Sequence, residues 1–381
     1  MILISQYSIP AVVYRGGTSR GLLFHEKDLP VDQESQKDIF LAGIDAYNPS
    51  QINGLGSGTS HTSKVMVIAP PTVDGADVDY TFYQVGIGEE IVDEEGTCGN
   101  LMSAIGAFSI DEGLVKVRST DNYCLVSAFN RNIGKMIRMK VPVVNGKAKV
   151  SGDYAMPGVI NMGAKIAVDI LSPGGGKTGH TLPLGTSCQV LTEEKIYTAS
   201  FVDIVNPFVF VAASEFGLKG SELNSELATD EKLLSELELI RVKLALKAGM
   251  FSSIEEARNA PAIPKIAMVA EPHEYVTSAG KTIKAEEVDI VAKMVSMYQF
   301  HRTFAGSGLY NLAASVLLKG SIPNQFFKEK DKGKERVIRI GHPEGIAKVR
   351  VAVTEDGTDV EFVGLDRTAR RIMKGDLYIP K

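Results

Sequence analysis

Hydrophobic and polar positions along this chain alternate more often than they cycle. The segments PAVVYR, GLLFH, SKVMVIAP, VDYTFYQVGIG, LVKVRST, YCLVSAF, KMIRMKVPVV, KAKVSG and PGVINMGAKIAVDIL are short and rich in Val, Ile, Tyr and Phe. Gly, Pro, Asn and Asp bound them, which is the pattern of β-strands. One stretch of the first half breaks this rhythm. Over about 99–111, Leu101, Ile105 and Phe108 recur at helical spacing while Ala104 and Ala107 permit close packing, so a single helix wrapped by strands is predicted. The second half reopens with strands (CQVLTEEKIYTASFVDI, PFVFVAASEFG) and passes through a charged helix at about 230–249, read as facing solvent. It continues through PKIAMVAEP, a polar link, and a second glycine-opened helix in HRTFAGSGLYNLAASVLLKGSI. The tail returns to strands.

The chain has 381 residues, 44% of them apolar, and single cores rarely grow past about 250–300 residues, so two domains are expected. The Gly/Pro-rich run LSPGGGKTGHTLPLG marks the crossover, giving domains 1–182 and 183–381 with the last strand returning to the first. Setting Cys98-Gly99 on Ser307-Gly308 brings Ala104 onto Ala313 and Gly106 onto Ser315. As architecture this suggests an α+β duplication: two β-wrapped helices, each with its N-terminus pointed at a shared cleft. Free N–H groups and dipole ends make such a cleft a natural anion site.

A formal net charge of −5, without a basic stripe, argues against nucleic acid as a partner. No apolar run reaches the roughly 18–20 residues of a membrane span, and MILISQYSIPAVVYRGG lacks the features of a signal peptide. The expectation is a cytoplasmic protein that binds no membrane. Cys98, Cys124 and Cys188 are widely spaced without a CxxC pair, so neither disulfides nor zinc are expected. The six histidines show no HxH or HExxH spacing, and no metal or cofactor is anticipated.

Candidate chemistry concentrates in a few places. In GTCGN, Cys98 stands between glycines where a helix is about to start, a setting that favours reactive thiols. It reads equally as a small apolar helix-start residue. Cys124 and Cys188 lie in strand-like runs and read as core thiols. Lys64 emerges from the hydroxyl-rich loop GLGSGTSHTS at the start of a strand, placed to bind a carboxylate or to act as a base, and Thr62 and Ser63 precede it. The spacing is not that of a phosphate loop. In RGGTSRG, Ser19 and Arg20 fall on a turn between strands, with donors suited to a carboxylate, though a solvated hairpin fits as well. His301 and Arg302 precede the second helix mouth, and Asn206 precedes Pro207 in DIVNPFVFV.

Taken together, RGGTSRG, TSKVMVI, GTCGN, DIVNPFVFV and RTARRIMKGDLYIP resemble the 2-methylaconitate cis-trans isomerase and methylitaconate isomerase family, from about residue 8 to the C-terminus. The resemblance implies the diaminopimelate-epimerase-like fold, α+β with two pseudo-symmetric domains, each a β-barrel-like wrap around a central helix, and the active site between them. It implies a cofactor-independent isomerase moving a proton in an unsaturated di- or tricarboxylate such as 2-methylaconitate. Lys64 and Cys98 match the family's proton-transfer pair; Ser19 and Asn206 match substrate-contacting positions. The expected ligand contacts are Ser19, Arg20, Thr62, Ser63, Gly99, Asn100, Asn206, His301, Arg302, Ser307 and Gly308. Two positions depart. Epimerases of this fold carry a cysteine at each mouth, where this chain has Ser307-Gly308 at the second, and the family commonly has lysine at Arg20, which changes donor geometry. A keto–enol tautomerase, an amino-acid epimerase and a non-catalytic carboxylate-binding protein remain alternatives. The expected partners are a small unsaturated acid and a second copy of the chain in a homodimer.

Overall fold

A computed structural model describes residues 5–193, 195–328 and 334–381. The chain divides into two compact units, 1–171 with 366–381, and 172–365. The Gly-rich crossover therefore belongs with unit 2, and the segment 366–381 with unit 1.

Eight strands form the body of unit 1, beside the two-residue strands Val92–Asp93 and Lys147–Ala148 at its margin. Its spatial order is Ala369–Pro380, Gln6–Gly16, Ser19–His25, Lys64–Ala69, Val78–Val85, Tyr123–Asn130, Lys135–Val144 and Ile166–Leu171. All neighbours are antiparallel except two pairs: Ser19–His25 with Lys64–Ala69, and Val78–Val85 with Tyr123–Asn130. Unit 2 repeats this plan with Cys188–Leu191, Ile196–Ile204, Asn206–Ala212, Lys265–Ala270, Ile290–Ser296, Glu335–His342, Gly345–Val353 and Val360–Arg367. The parallel pairs recur at the same two places. Each sheet wraps a helix, Met102–Asp111 in unit 1 and Gly306–Leu317 in unit 2, buried along nearly its whole length. This is the two-repeat, helix-in-sheet architecture of the diaminopimelate-epimerase-like fold.

The outer face of each sheet carries a second layer. In unit 1 the helix Gln33–Ile44, capped by the Asp32 carboxylate accepting the Ser35 N–H at 2.8 Å, buries Ile39, Phe40 and Ile44 against Leu22, Phe24, Val65 and Val67. In unit 2 the helix Glu231–Lys247 buries Leu233, Leu237, Ile240 and Leu244, which corrects the expectation of a solvent-facing helix. Burying each such side chain is favourable by roughly 1.5–3 kcal/mol. A solvated helix gains only a few tenths per ion pair. Two further expectations change. Residues 114–120 (LVKVRST) form no strand, and the supposed polar link contains the buried strand Ile290–Ser296.

Candidate active site

The strand register of unit 1 assembles its functional side chains. Gln6–Gly16 and Ser19–His25 form a hairpin whose turn is Gly17-Thr18, so Ser19 and Arg20 open the second strand and do not sit on the turn. Leu22 pairs with Val65 in the neighbouring parallel strand, which sets Gly21 beside Lys64. Since side chains alternate along a strand, Ser19, Gly21 and Lys64 share one face, the opposite one from Leu22, Phe24, Val65 and Val67. The mouth of the wrapped helix lies on that face: a Cβ on Gly21 would stand 2.8 Å from both Leu101 Cδ2 and the Lys64 carbonyl oxygen.

At the mouth, the Met102 N–H donates to the Cys98 carbonyl at 3.0 Å and the Leu101 N–H points at Cys98 Sγ at 3.5 Å. Cys98 thus caps the turn that leads into the regular helix, its sulfur occupying the place of a capping oxygen. The Ser19 hydroxyl is 3.8 Å from the same sulfur. Gly99 and Asn100 follow in the leading turn. Asn100 is clamped, its amide donating to Thr18 Oγ1 at 3.1 Å and its Oδ1 accepting from Arg367 Nε at 2.9 Å. Gly17, with φ of +55°, permits this, because a Cβ there would lie 2.4 Å from Asn100 Oδ1. The Arg15 guanidinium braces the turn through the carbonyls of Gly17 and Thr368, at 2.9 and 2.8 Å. Burial first, and nearby Arg370 second, push Arg15 down from its ordinary value.

Lys64 is buried, only 8% exposed. Its ammonium donates to Gln84 Oε1 at 2.5 Å and lies 5.0 Å from the Phe82 ring centroid. Gln84 is itself fixed by donating to the Ser63 carbonyl at 2.8 Å. An ammonium has three N–H donors, so two remain for a ligand. Among the described residues, Arg15, Arg20, Lys64 and Arg367 form no ion pair with a carboxylate. Lys64 thus stands without a carboxylate partner on the sheet face that the helix mouth adjoins, and Arg367 reaches Asn100 in its leading turn, positive charge that draws acidic ligands.

Other expected contacts take different roles. Ser63 is fully buried, its hydroxyl 2.9 Å from Gln51 Oε1 and 2.8 Å from the Thr59 carbonyl. It braces the loop that leads into the Lys64 strand from within. Thr62 shares its hydroxyl with Ser57 and Thr59 in the same loop. Arg20 donates to the Leu55 carbonyl at 3.0 Å.

In unit 2, Asn206 opens its strand and its carbonyl accepts from the buried Asn311 amide at 2.8 Å. His301 and Arg302 lie just before the helix. The Arg302 side chain is exposed and paired with Glu344 at 3.3 Å. Ser307 is the second helical residue, and Gly308 packs so closely that a Cβ would stand 2.6 Å from Phe208 Cζ. Arg367, which positions Asn100, was not foreseen, and nothing in its neighbourhood in the sequence signals it. No group of three or more His, Cys, Asp or Glu arranged to hold a metal occurs among the described residues, and no helix of the described residues is long and apolar enough to cross a membrane.

The fold is thus one of two helix-wrapping repeats, with a capped cysteine at one helix mouth and a buried lysine on the sheet face that adjoins it. The comparisons with known proteins give the family. A family model described as "PrpF protein" matches residues 6–380, and the chain belongs to that family. It is 40% identical over 379 residues to a 3-methylitaconate isomerase of Eubacterium barkeri, covering 99% of this chain and 98% of the relative. It is 33% identical over 392 residues to a 2-methyl-aconitate isomerase of Shewanella oneidensis, covering 99% and 98%. A crystal structure of methylitaconate-delta-isomerase superposes with a TM-score of 0.93 at 37% identity, covering 99% of this chain and 97% of that one. The chain is an enzyme, an isomerase of this family.

Proposed function

We propose that the protein moves a proton within an unsaturated di- or tricarboxylate of the methylitaconate and methylaconitate type, with Cys98 and Lys64 as the acid–base pair. A carboxylic acid with hydrogens allylic to its C=C bond loses one of them to a base, leaving a dienolate whose charge spreads into the carboxylate. Return of a proton to the far carbon shifts the double bond. Return to the original carbon after rotation gives cis-trans isomerisation. In either route one of Cys98 Sγ and Lys64 Nζ takes the proton and the other gives one back, so the substrate's atoms and charge are conserved. The dienolate carries more charge than the substrate at the reacting carbons, and donors already in place favour it without reorganisation.

The observation that carries this reading is the capped Cys98 sulfur beside Ser19, whose sheet face is shared by the buried Lys64, an ammonium without a carboxylate partner among the described residues. The names of the relatives give the substrate class. The test is proton NMR in heavy water with the purified protein and, in turn, methylitaconate, 2-methylaconitate, aconitate and oxalomesaconate. The expected result is migration or inversion of the double bond in at least one of the first three, with deuterium entering at the allylic carbon. Conversion of oxalomesaconate alone would assign the site to keto–enol tautomerisation. No change in any of the four would refute the proposal.

A further inference from the structure

The two units finish their sheets differently. In unit 2 the outermost strand is Cys188–Leu191, four residues long, and the Lys243 ammonium of the outer helix covers it by donating to the Leu191 carbonyl at 2.7 Å. In unit 1 the strand at the same place in the order is Ala369–Pro380, twelve residues long, and among the described residues it pairs with Gln6–Gly16 alone. An edge of this length carries a row of free N–H and C=O groups, which folded proteins shorten, cover or pair. This one is neither short nor covered. Gly375, at its middle, is exposed although it has only backbone to expose, and a Cβ there would meet nothing within 4 Å. Ile372, Met373 and Tyr378 along the same strand are exposed as well.

The register fixes which backbone groups are free. The Lys381 N–H donates to the Ser5 carbonyl at 3.0 Å, extending by one residue the ladder in which Gln6 pairs with Pro380. Bonded and non-bonded pairs alternate along an antiparallel ladder. Ile379, Leu377, Gly375 and Met373 therefore turn their backbone groups to the inner neighbour, while Tyr378, Asp376 and Lys374 turn theirs outward. Pro380 falls in the outward set, where its missing N–H breaks no bond of the sheet. Side chains alternate between faces, so Lys374 and Asp376 share one face and line one cavity with Glu112, whose carboxylate accepts the Lys374 ammonium at 2.7 Å.

We propose that this edge docks a second copy of the chain through the same edge, antiparallel, with the twofold axis at Gly375. Outward groups bond only to outward groups, so the axis must set Lys374, Asp376 and Tyr378 opposite members of that set. The bulge between Val13 and Tyr14 bounds the regular edge at one end and Pro380 at the other, which keeps the axis near the middle. An axis at Lys374 or at Asp376 sets like charges directly opposite each other, which disfavours pairing. An axis at Leu377 sets Lys374 against the partner's Pro380, which has no N–H to give. At Gly375, Lys374 meets the partner's Asp376 and Met373 meets the partner's Leu377, so charges and apolar groups both match. An ammonium has three donors, and Glu112 engages one of those on Lys374, leaving two for the partner's carboxylate. This surface stands apart from the isomerase reading of Cys98 and Lys64.

Sedimentation velocity on the full chain reads the assembly directly, and wild type is expected to sediment as a dimer at micromolar concentration. Gly375→Cys tests the axis. Residues opposite each other at a non-bonded position stand about 4.5 Å apart at Cα, within the roughly 4.4–6.8 Å that a disulfide spans, so mild oxidation is expected to link the two copies at that position. Mass spectrometry of the linked peptide separates this bond from any made by Cys98, Cys124 or Cys188, which are free thiols. Asp376→Cys, whose two copies stand two residues out of step, is expected to give no link. Asp376→Pro removes an outward N–H and no bond to the inner neighbour, so the chain folds while its dimer dissociation constant rises about tenfold or more. Wild type that sediments as a monomer overturns the proposal, as does a dimer that Asp376→Pro leaves intact. Linkage of Asp376→Cys in place of Gly375→Cys puts the axis elsewhere and overturns it too. The wild-type measurement needs no variant, so a substitution that fails to fold does not block the test.

Discussion

Replacing Gly17 by alanine probes how tightly the first hairpin is fitted to the helix mouth, and Gly134→Ala is its control. Both glycines are left-handed, with φ of +55° and +61°, so an alanine at either costs about 1–2 kcal/mol in backbone strain. A Cβ on Gly134 meets nothing within 4 Å, whereas one on Gly17 meets Asn100 Oδ1 at 2.4 Å and Asn100 Cβ and Cγ at 2.8 Å. Asn100 must therefore move. It then gives up the Arg367 bond, about 1.5–3 kcal/mol for a charged donor, and the Thr18 bond, about 0.5–1.5 kcal/mol. The additional cost is roughly 2–4 kcal/mol. At about 2–4 °C per kcal/mol for a unit of this size, Gly134→Ala lowers Tm by on the order of 4 °C and Gly17→Ala by on the order of 12 °C. Displacing the turn also shifts Ser19 and Cys98, and a misplacement of about 1 Å costs roughly a hundredfold in turnover. Scanning calorimetry and the isomerase assay read both effects. Matching melting temperatures for the two variants, with full turnover in Gly17→Ala, would refute the fitted-hairpin account.

Cys98→Ser is expected to cut kcat by about 10²–10⁴-fold, the usual contribution of acid–base catalysis, with little change in affinity for tricarballylate, a saturated tricarboxylate that cannot isomerise; normal turnover would remove the thiol from the chemistry. Lys64→Met removes both a proton carrier and a charge-assisted donor, so kcat falls as for Cys98→Ser and ligand affinity falls about tenfold or more. Unchanged kinetics would show Lys64 to be a strand-opening charge only. The pH dependence of stability tests His342, whose folded-state value of about 4 lies below its ordinary 6.5. The unfolded chain then binds the proton first, so stability is fully present above pH 6.5 and declines as pH falls toward 4. His342→Gln should flatten the fall in the urea midpoint between pH 6.5 and 4.5, and an unaltered slope would contradict the buried neutral imidazole.

The strands and the two wrapped helices were legible because alternation and helical periodicity are local signals, and because GTCGN and AGSG mark where each helix begins. What local pattern does not carry is which strands pair. The parallel neighbour of Ser19–His25 arrives after the outer helix, and only that pairing shows Lys64 and Ser19 to share a face. The helix Gln33–Ile44 escaped because its polar first half masks a buried face gathered into Ile39, Phe40, Leu41 and Ile44. Ile290–Ser296 escaped because Lys293 interrupts an apolar run. That lysine is fully buried, held by Asn224 Oδ1 at 2.6 Å, and burial pushes it down to about 8. The opposite error, reading LVKVRST as a strand, came from alternation that finds no partner in the sheet. Arg367 reaches Asn100 from a segment remote in sequence, a contact that only the fold creates.

All three cysteines are partly exposed thiols, and burial pushes Cys124 and Cys188 up, away from ready alkylation. The most direct measurement is therefore alkylation by iodoacetamide, mapped by mass spectrometry, with turnover followed in parallel and methylitaconate added as protectant. Loss of activity should track modification of Cys98 alone, and the substrate should slow that modification without affecting the other two. Full turnover in protein wholly alkylated at Cys98 would contradict the assignment of this thiol to proton transfer.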